Sequence, residues 1–237
     1  MKVIIDSTSN IAAMAAQQYV SLLKNKPNAI LGGATGSTPL GLYAELVRLN
    51  KAGEISFKDA SSFNLDEYVG LDGSHDQSYR YFMDHNLFDH IDIDKSRTHV
   101  PSGIDISDPA AYDKAIAAAG GVDLQLLGIG NNGHIGFNEP GTPFGSLTHV
   151  VELTESTREA NKRFFASIDD VPTHAVTMGI KTVMQAKSII LMATGPAKAP
   201  IMKQMLQGPV TEEVPASVLQ LHPDVTVYMD FEAASLL

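Results

Sequence analysis

The order of apolar and polar positions divides the chain into short buried runs separated by longer amphipathic ones. Val3 to Ile5, Asn28 to Leu31, Ala60 to Leu65, Val122 to Leu127, His174 to Met178, Ser188 to Ala193 and Val225 to Met229 read as strands, the first a short edge strand. Helical runs alternate with them. Ile11 to Lys24 is rich in alanine, is offered caps by Asp6 to Asn10, and is stopped by Pro27. Leu40 to Asn50 carries Leu42, Leu46 and Leu49 on one side. Ser78 to Phe88, Pro109 to Ala119, Leu153 to Phe165, Ile180 to Ala186 and the run after Lys198 to Gln207 complete the set. No repeat or linker breaks the alternation. The pattern predicts one α/β domain over residues 1–237, with an open, mostly parallel sheet covered by helices on both faces, in the manner of a Rossmann fold.

Three strand ends run into segments that carry chemistry. Gly128 to Gly141 reads G-I-G-N-N-G-H-I-G-F-N-E-P-G after the strand at Val122 to Leu127. Its glycines and proline force repeated turns, and Asn132, His134 and Glu139 stand among them. Loops at the carboxyl ends of parallel strands are where open α/β sheets hold ligands. The segment contains G-x-G-x-x-G, but the dinucleotide fingerprint needs a helix opening at Gly133, and Gly136, Pro140 and Gly141 leave no room for one.

Gly32 to Pro39, G-G-A-T-G-S-T-P, joins a strand to a helix. Ser37 or Thr38 can cap that helix, with Pro39 near its first turn. A glycine-rich turn at a helix N-terminus also presents free N–H groups and a favourable dipole to an anion, and both readings stay open on local signals. No G-K-[ST] follows, so this is not a Walker loop. Phe63 to Gly70, F-N-L-D-E-Y-V-G, places Asp66 and Glu67 where a strand gives way to a loop; such a pair suits either a solvated strand end or a reacting carboxylate. Asp89 to Asp94 lacks the glycine and terminal glutamate of a calcium loop and reads as a solvated turn.

Composition narrows the functions. A net charge of −10 argues against nucleic acid. It permits a small anion gripped by a few local cations and backbone donors. Cysteine is absent, which excludes disulfides and thiolate metal sites. No run has the length of a membrane span or the form of a signal peptide, so a soluble cytoplasmic protein is expected.

These motifs together resemble the glucosamine-6-phosphate deaminases, sugar-phosphate isomerase-deaminases grouped with the 6-phosphogluconolactonases. The likeness runs from about Leu31 to Leu237. It implies conversion of glucosamine 6-phosphate and water to fructose 6-phosphate and ammonium, a hydrolase step of amino-sugar catabolism, with no metal or cofactor. By the resemblance Asp66 moves a proton between sugar carbons, with Glu67 beside it in a positioning role. His134 opens the ring, helped by Glu139. Asn132 stands where the better-known relatives carry Asp; its amide can still hydrogen-bond His134 but brings no charge, so ring opening leans on Glu139. Gly33, Thr35, Gly36, Ser37 and Thr38 would bind the substrate phosphate, with Lys198 and with Arg163 on a movable lid. His149 lies where allosteric relatives place an effector arginine, and the chain stops where they continue. A non-allosteric monomer or small homo-oligomer is therefore expected. Two rivals remain. A 6-phosphogluconolactonase would leave Asp66 without a carbon proton to move. A non-catalytic sugar-phosphate sensor would ordinarily carry a DNA-reading segment, and none precedes this domain.

Overall fold

The computed structural model describes residues 1–162 and 165–237, without the side chains of Ser156 and Ala160. Its strands are β1 (Lys2–Ile5), β2 (Ile30–Gly33), β3 (Ser61–Asn64), β4 (Asp66–Tyr68), β5 (Thr98–His99), β6 (Leu124–Leu127), β7 (His149–Glu152), β8 (His174–Thr177), β9 (Ser188–Ala193) and β10 (Val225–Met229). Its helices are α1 (Thr8–Asn25), α2 (Leu40–Lys51), α3 (Tyr79–Asn86), α4 (Ala111–Ala119), α5 (Glu155–Asn161), α6 (Ile180–Met184) and α7 (Ala199–Gln207).

Seven strands form a parallel sheet in the order β1-β10-β9-β6-β2-β3-β5. Strands β2, β6 and β10 are buried along their whole length, as covering on both faces requires. The two halves of the sheet run away from each other at the β6–β2 boundary, the switch point where such sheets open a crevice beyond their carboxyl ends. Helix α1 shows how the sequence builds the cover. Ser7 accepts from the Asn10 N–H at 3.3 Å as its N-cap, and Ile11, Ala12, Ala15, Ala16, Tyr19, Val20 and Leu23 form the buried stripe. Gly120 closes α4 in the left-handed conformation at φ 107°.

The expected parallel sheet is joined by a feature that the sequence did not announce. A second, antiparallel sheet of three strands, β4-β8-β7, stands apart from the parallel one. Leu65 joins the two: its N–H donates to Gly33 O at 3.2 Å in the large sheet, and its carbonyl accepts from Met178 N at 2.7 Å in the small one. Asp66 is therefore the first residue of β4 and not a solvated strand end. An apolar run predicts a strand but not its partner, which depends on backbone donors far away in sequence. The helix expected over 153–165 is realised as Glu155–Asn161, with Thr154 as N-cap accepting from Thr157 N at 3.3 Å.

Candidate active site

Loops from four parallel strands converge on one open cleft of about 580 Å³. The turn after β2 supplies Ala34 to Pro39, the turn after β6 supplies Gly128 to Asn132 together with His134, and the crossing from β3 to β4 supplies Asp66. Lys198, in the short turn before α7, closes one side. Thus Asp66, Asn132, His134, Thr35, Gly36, Ser37, Thr38 and Lys198 share one cavity.

Asp66 is 7% exposed, and no described residue donates a hydrogen bond to its carboxylate. Burial, reinforced by the neighbouring Glu67 charge, pushes it up to about 8. Glu67 is differently employed. It accepts from the backbone N–H groups of Tyr68, Tyr79 and Arg80 at 2.8, 2.9 and 3.0 Å, so it anchors the N-terminus of α3. That helix delivers Tyr79 to the cleft, where its ring stacks on Phe137 with centroids 6.1 Å apart.

The glycine-rich loop is held by its own hydrogen bonds. Gly130 N donates to His134 O, Gly133 N to Gly130 O, and the Asn138 side-chain amide to Ile135 O and Met178 O. No helix opens there, which disposes of the dinucleotide reading. The loop meets the small sheet at Thr177, whose hydroxyl accepts from Phe137 N at 3.1 Å and which is the ladder partner of Asp66. A Cβ at Gly136 would lie 2.8 Å from that hydroxyl and 3.5 Å from Asp66 Oδ2, so only glycine lets the loop and the carboxylate come this close.

His134 Nδ1 lies 3.6 Å from Glu139 Oε2, an ion-pair contact too long for a hydrogen bond. Glu139 also receives the Asn132 amide on Oε2 at 2.5 Å and the Thr157 hydroxyl on Oε1 at 2.7 Å. Burial works to raise its pKa, but His134, Thr157 and Asn132 outweigh it and bring the carboxyl down to about 2. Asn132 hydrogen-bonds His134, as expected, but at its backbone and not at its ring. It bonds Glu139 and accepts from the His134 backbone N–H at 3.2 Å.

At the anion end, α2 opens at Pro39 without a side-chain cap, so the expected capping by Ser37 or Thr38 does not occur. The hydroxyls of Thr35, Ser37 and Thr38, and the backbone N–H groups of Gly36, Ser37 and Thr38, have no hydrogen-bond partner among the described residues. Lys198 faces them, half-buried and without a carboxylate partner among those residues; burial lowers its pKa. Gly33 does not line the cleft. It belongs to β2, where a Cβ would meet the Asn64 side chain at 2.8 Å, so it serves close strand packing. Arg163 lies outside the described residues. Tyr79, Phe137, Thr157 and Asn161 also line the cleft and carried no distinguishing signal in the sequence. Among the described residues no cluster of His, Asp and Glu has the form of a metal site.

Comparison with known proteins agrees with this geometry. The family model for glucosamine-6-phosphate isomerases/6-phosphogluconolactonase matches residues 6–228. The chain is 54% identical over 237 residues to glucosamine-6-phosphate deaminase of Lachnoclostridium phytofermentans, covering 98% of this chain and 100% of that one. It is 52% identical over 241 residues to the enzyme of the same name from Thermoanaerobacter pseudethanolicus, covering 100% and 95%. A solved monomeric glucosamine-6-phosphate deaminase superposes with a TM-score of 0.97 at 46% identity, over the whole of both chains. The 6-phosphogluconolactonase of Thermotoga maritima shares the fold at a TM-score of 0.76 and 18% identity, covering 97% of this chain and 98% of that one. The chain belongs to the glucosamine-6-phosphate isomerase/6-phosphogluconolactonase family, and it is about half identical to that family's glucosamine-6-phosphate deaminases.

Proposed function

We propose that this protein, acting as a single domain, converts glucosamine 6-phosphate and water to fructose 6-phosphate and ammonium. The observation that carries this reading is the buried Asp66 carboxylate sharing a cleft with His134 and with a set of hydroxyls, backbone donors and Lys198 that are unpaired among the described residues. Thr35, Gly36, Ser37, Thr38 and Lys198 grip the phosphate, so binding at one end of the sugar fixes the reacting end.

His134 takes the proton from the C1 hydroxyl and returns one to the ring oxygen. The C1–O5 bond breaks and an aldehyde forms at C1. Asp66 then removes the proton from C2, and the electron pair moves into a C1–C2 double bond. The C1 oxygen takes up a proton from the substrate's own ammonium group. Asp66 returns its proton to C1 while the nitrogen lone pair forms an iminium at C2. Water adds there, the C–N bond breaks, and ammonium leaves. Glu139, ionised by its three neighbours, compensates the charge on His134 whenever the ring carries two protons. Desolvation raises the proton affinity of Asp66, making it a stronger base toward carbon than a solvated carboxylate, and a cationic aminosugar beside it favours its ionised form.

A lactone hydrolase would need no group between two adjacent carbons, and the lactonase likeness is one of fold alone. Finer expectations go with the reading: a role in amino-sugar catabolism, a cytoplasmic setting, and hyperbolic kinetics without activation by N-acetylglucosamine 6-phosphate. Their support is that no described helix is long and apolar enough to cross a membrane, and that one solved relative is described as monomeric. The test is ammonium release from glucosamine 6-phosphate by wild type and Asp66→Asn, with 6-phosphogluconolactone hydrolysis run in parallel. The variant should lose at least about 10²-fold in turnover. Lactone hydrolysis without ammonium release would overturn the assignment.

A further inference from the structure

The Glu139 carboxylate is held at both oxygens, and only one of the holders belongs to its own loop. Asn132 donates to Oε2, the oxygen that also faces His134 Nδ1. Thr157 donates to Oε1 from helix α5, 18 residues away. Thr157 is 8% exposed, and its hydroxyl accepts in turn from Thr154 Oγ1 at 3.0 Å while donating to Glu139. Thr154 is also the N-cap of α5. A directed chain therefore runs from the cap of α5, through Thr157, to the carboxylate beside the imidazole.

We propose that Thr157 is a positioning residue for the proton-transfer pair: by occupying Oε1 it fixes the carboxylate plane so that Oε2 is presented to His134, and it makes that presentation depend on α5 being seated. A carboxylate held at one oxygen alone is free to rotate about its terminal torsion, whose wells are broad. The second bond removes that freedom. Asn132 alone cannot do so, because it is exposed and acts on the same oxygen that His134 must use. Thr157 spends its hydroxyl proton on Glu139 and acts on the reacting atoms through that carboxylate and His134, so its loss should weaken turnover more than it loosens the phosphate grip.

The inference rests on the deaminase reading, and the experiment separates the two. Wild type, Thr157→Val, Thr157→Ser, Glu139→Gln and the Thr157→Val/Glu139→Gln double variant are assayed for ammonium release across pH, with melting temperatures measured alongside. Thr157→Val keeps the shape and removes the donor. It should lower kcat by roughly 10-fold or more, the scale of a lost hydrogen bond to a charged group, with KM changed less than about 2-fold. Its pH profile for kcat should shift, and Thr157→Ser should restore both. In the Glu139→Gln background the same change should cost less than about 2-fold, because residues acting through one another are not additive. If Thr157→Val does not fold, Thr157→Ala is read in its place. Wild-type kcat and pH profile in the hydroxyl-free variant, a loss confined to KM, failure of serine to rescue, or full additivity with Glu139→Gln would each overturn the proposal. A wild-type protein that releases no ammonium would instead sink the deaminase reading.

Discussion

Asn132 hydrogen-bonds Glu139 at 2.5 Å and leaves the His134 ring untouched; the ring stands 3.6 Å from that same carboxylate oxygen. The amide thus acts on the charge beside the histidine, through the one group that faces both.

Asn132→Asp should therefore disturb Glu139 first. A second carboxylate at hydrogen-bond distance removes a donor and adds repulsion, so the pair titrates with one raised value. In the wild type Glu139 falls from 4.5 to about 2, and its contribution to stability is present above pH 4.5 and lost as pH falls toward 2. Melting temperatures between pH 3 and 8 should show the variant below wild type at neutral pH, with the gap closing toward pH 4. A constant gap at every pH would show that Asn132 is not coupled to Glu139.

The buried Asp66 gives the opposite dependence. Its raised value means that the folded protein binds the proton more tightly than the unfolded chain does. The favourable contribution is fully present below pH 3.8 and lost as pH rises through about 8. Wild type should lose melting temperature between about pH 4 and 8 and level off above that, and Asp66→Asn should flatten that limb. The base must also be ionised to act, so wild-type kcat/KM should rise with pH through about 8. A profile flat from pH 6.5 to 9 would show that Asp66 does not limit the free enzyme.

Gly130 has a steric job. A Cβ there would lie 2.2 to 2.4 Å from three atoms of the His134 ring. Gly130→Ala should push the imidazole aside and cost about 10²-fold in kcat, as a displacement near 1 Å at a reacting group does. Circular dichroism should remain that of wild type. Full activity would mean that the ring has other room.

Lys198 is a half-buried cation with no carboxylate partner among the described residues. Lys198→Met should raise KM by roughly 10- to 100-fold, the scale of a charge-assisted contact, and affect kcat less. Since burial disfavours the lone charge, the variant should also melt at or above the wild-type temperature without substrate and gain less from added phosphate. Equal KM would remove Lys198 from the anion grip.

The chain by itself determined the elements and the chemistry-bearing segments. Val225–Met229 and Ser188–Ala193 have the limits that their apolar runs predict, because a strand buried on both faces must be apolar along its length. The glycine spacing around His134 foretold a turned loop at a strand end, since glycine is the residue that tolerates those backbone angles. What tertiary structure alone decided is which partners these segments find. Leu65 sends Asp66 into a second sheet because its carbonyl meets Met178 N, a contact 113 positions away that no local pattern encodes. Thr157 and Tyr79 gained their places in the cleft the same way, through packing that brings α5 and α3 against a loop remote in sequence. The raised Asp66 and the lowered Glu139 are likewise properties of the assembled surroundings: the first is set by how much water the neighbours exclude, the second by the groups that fold against the carboxylate and outweigh its burial.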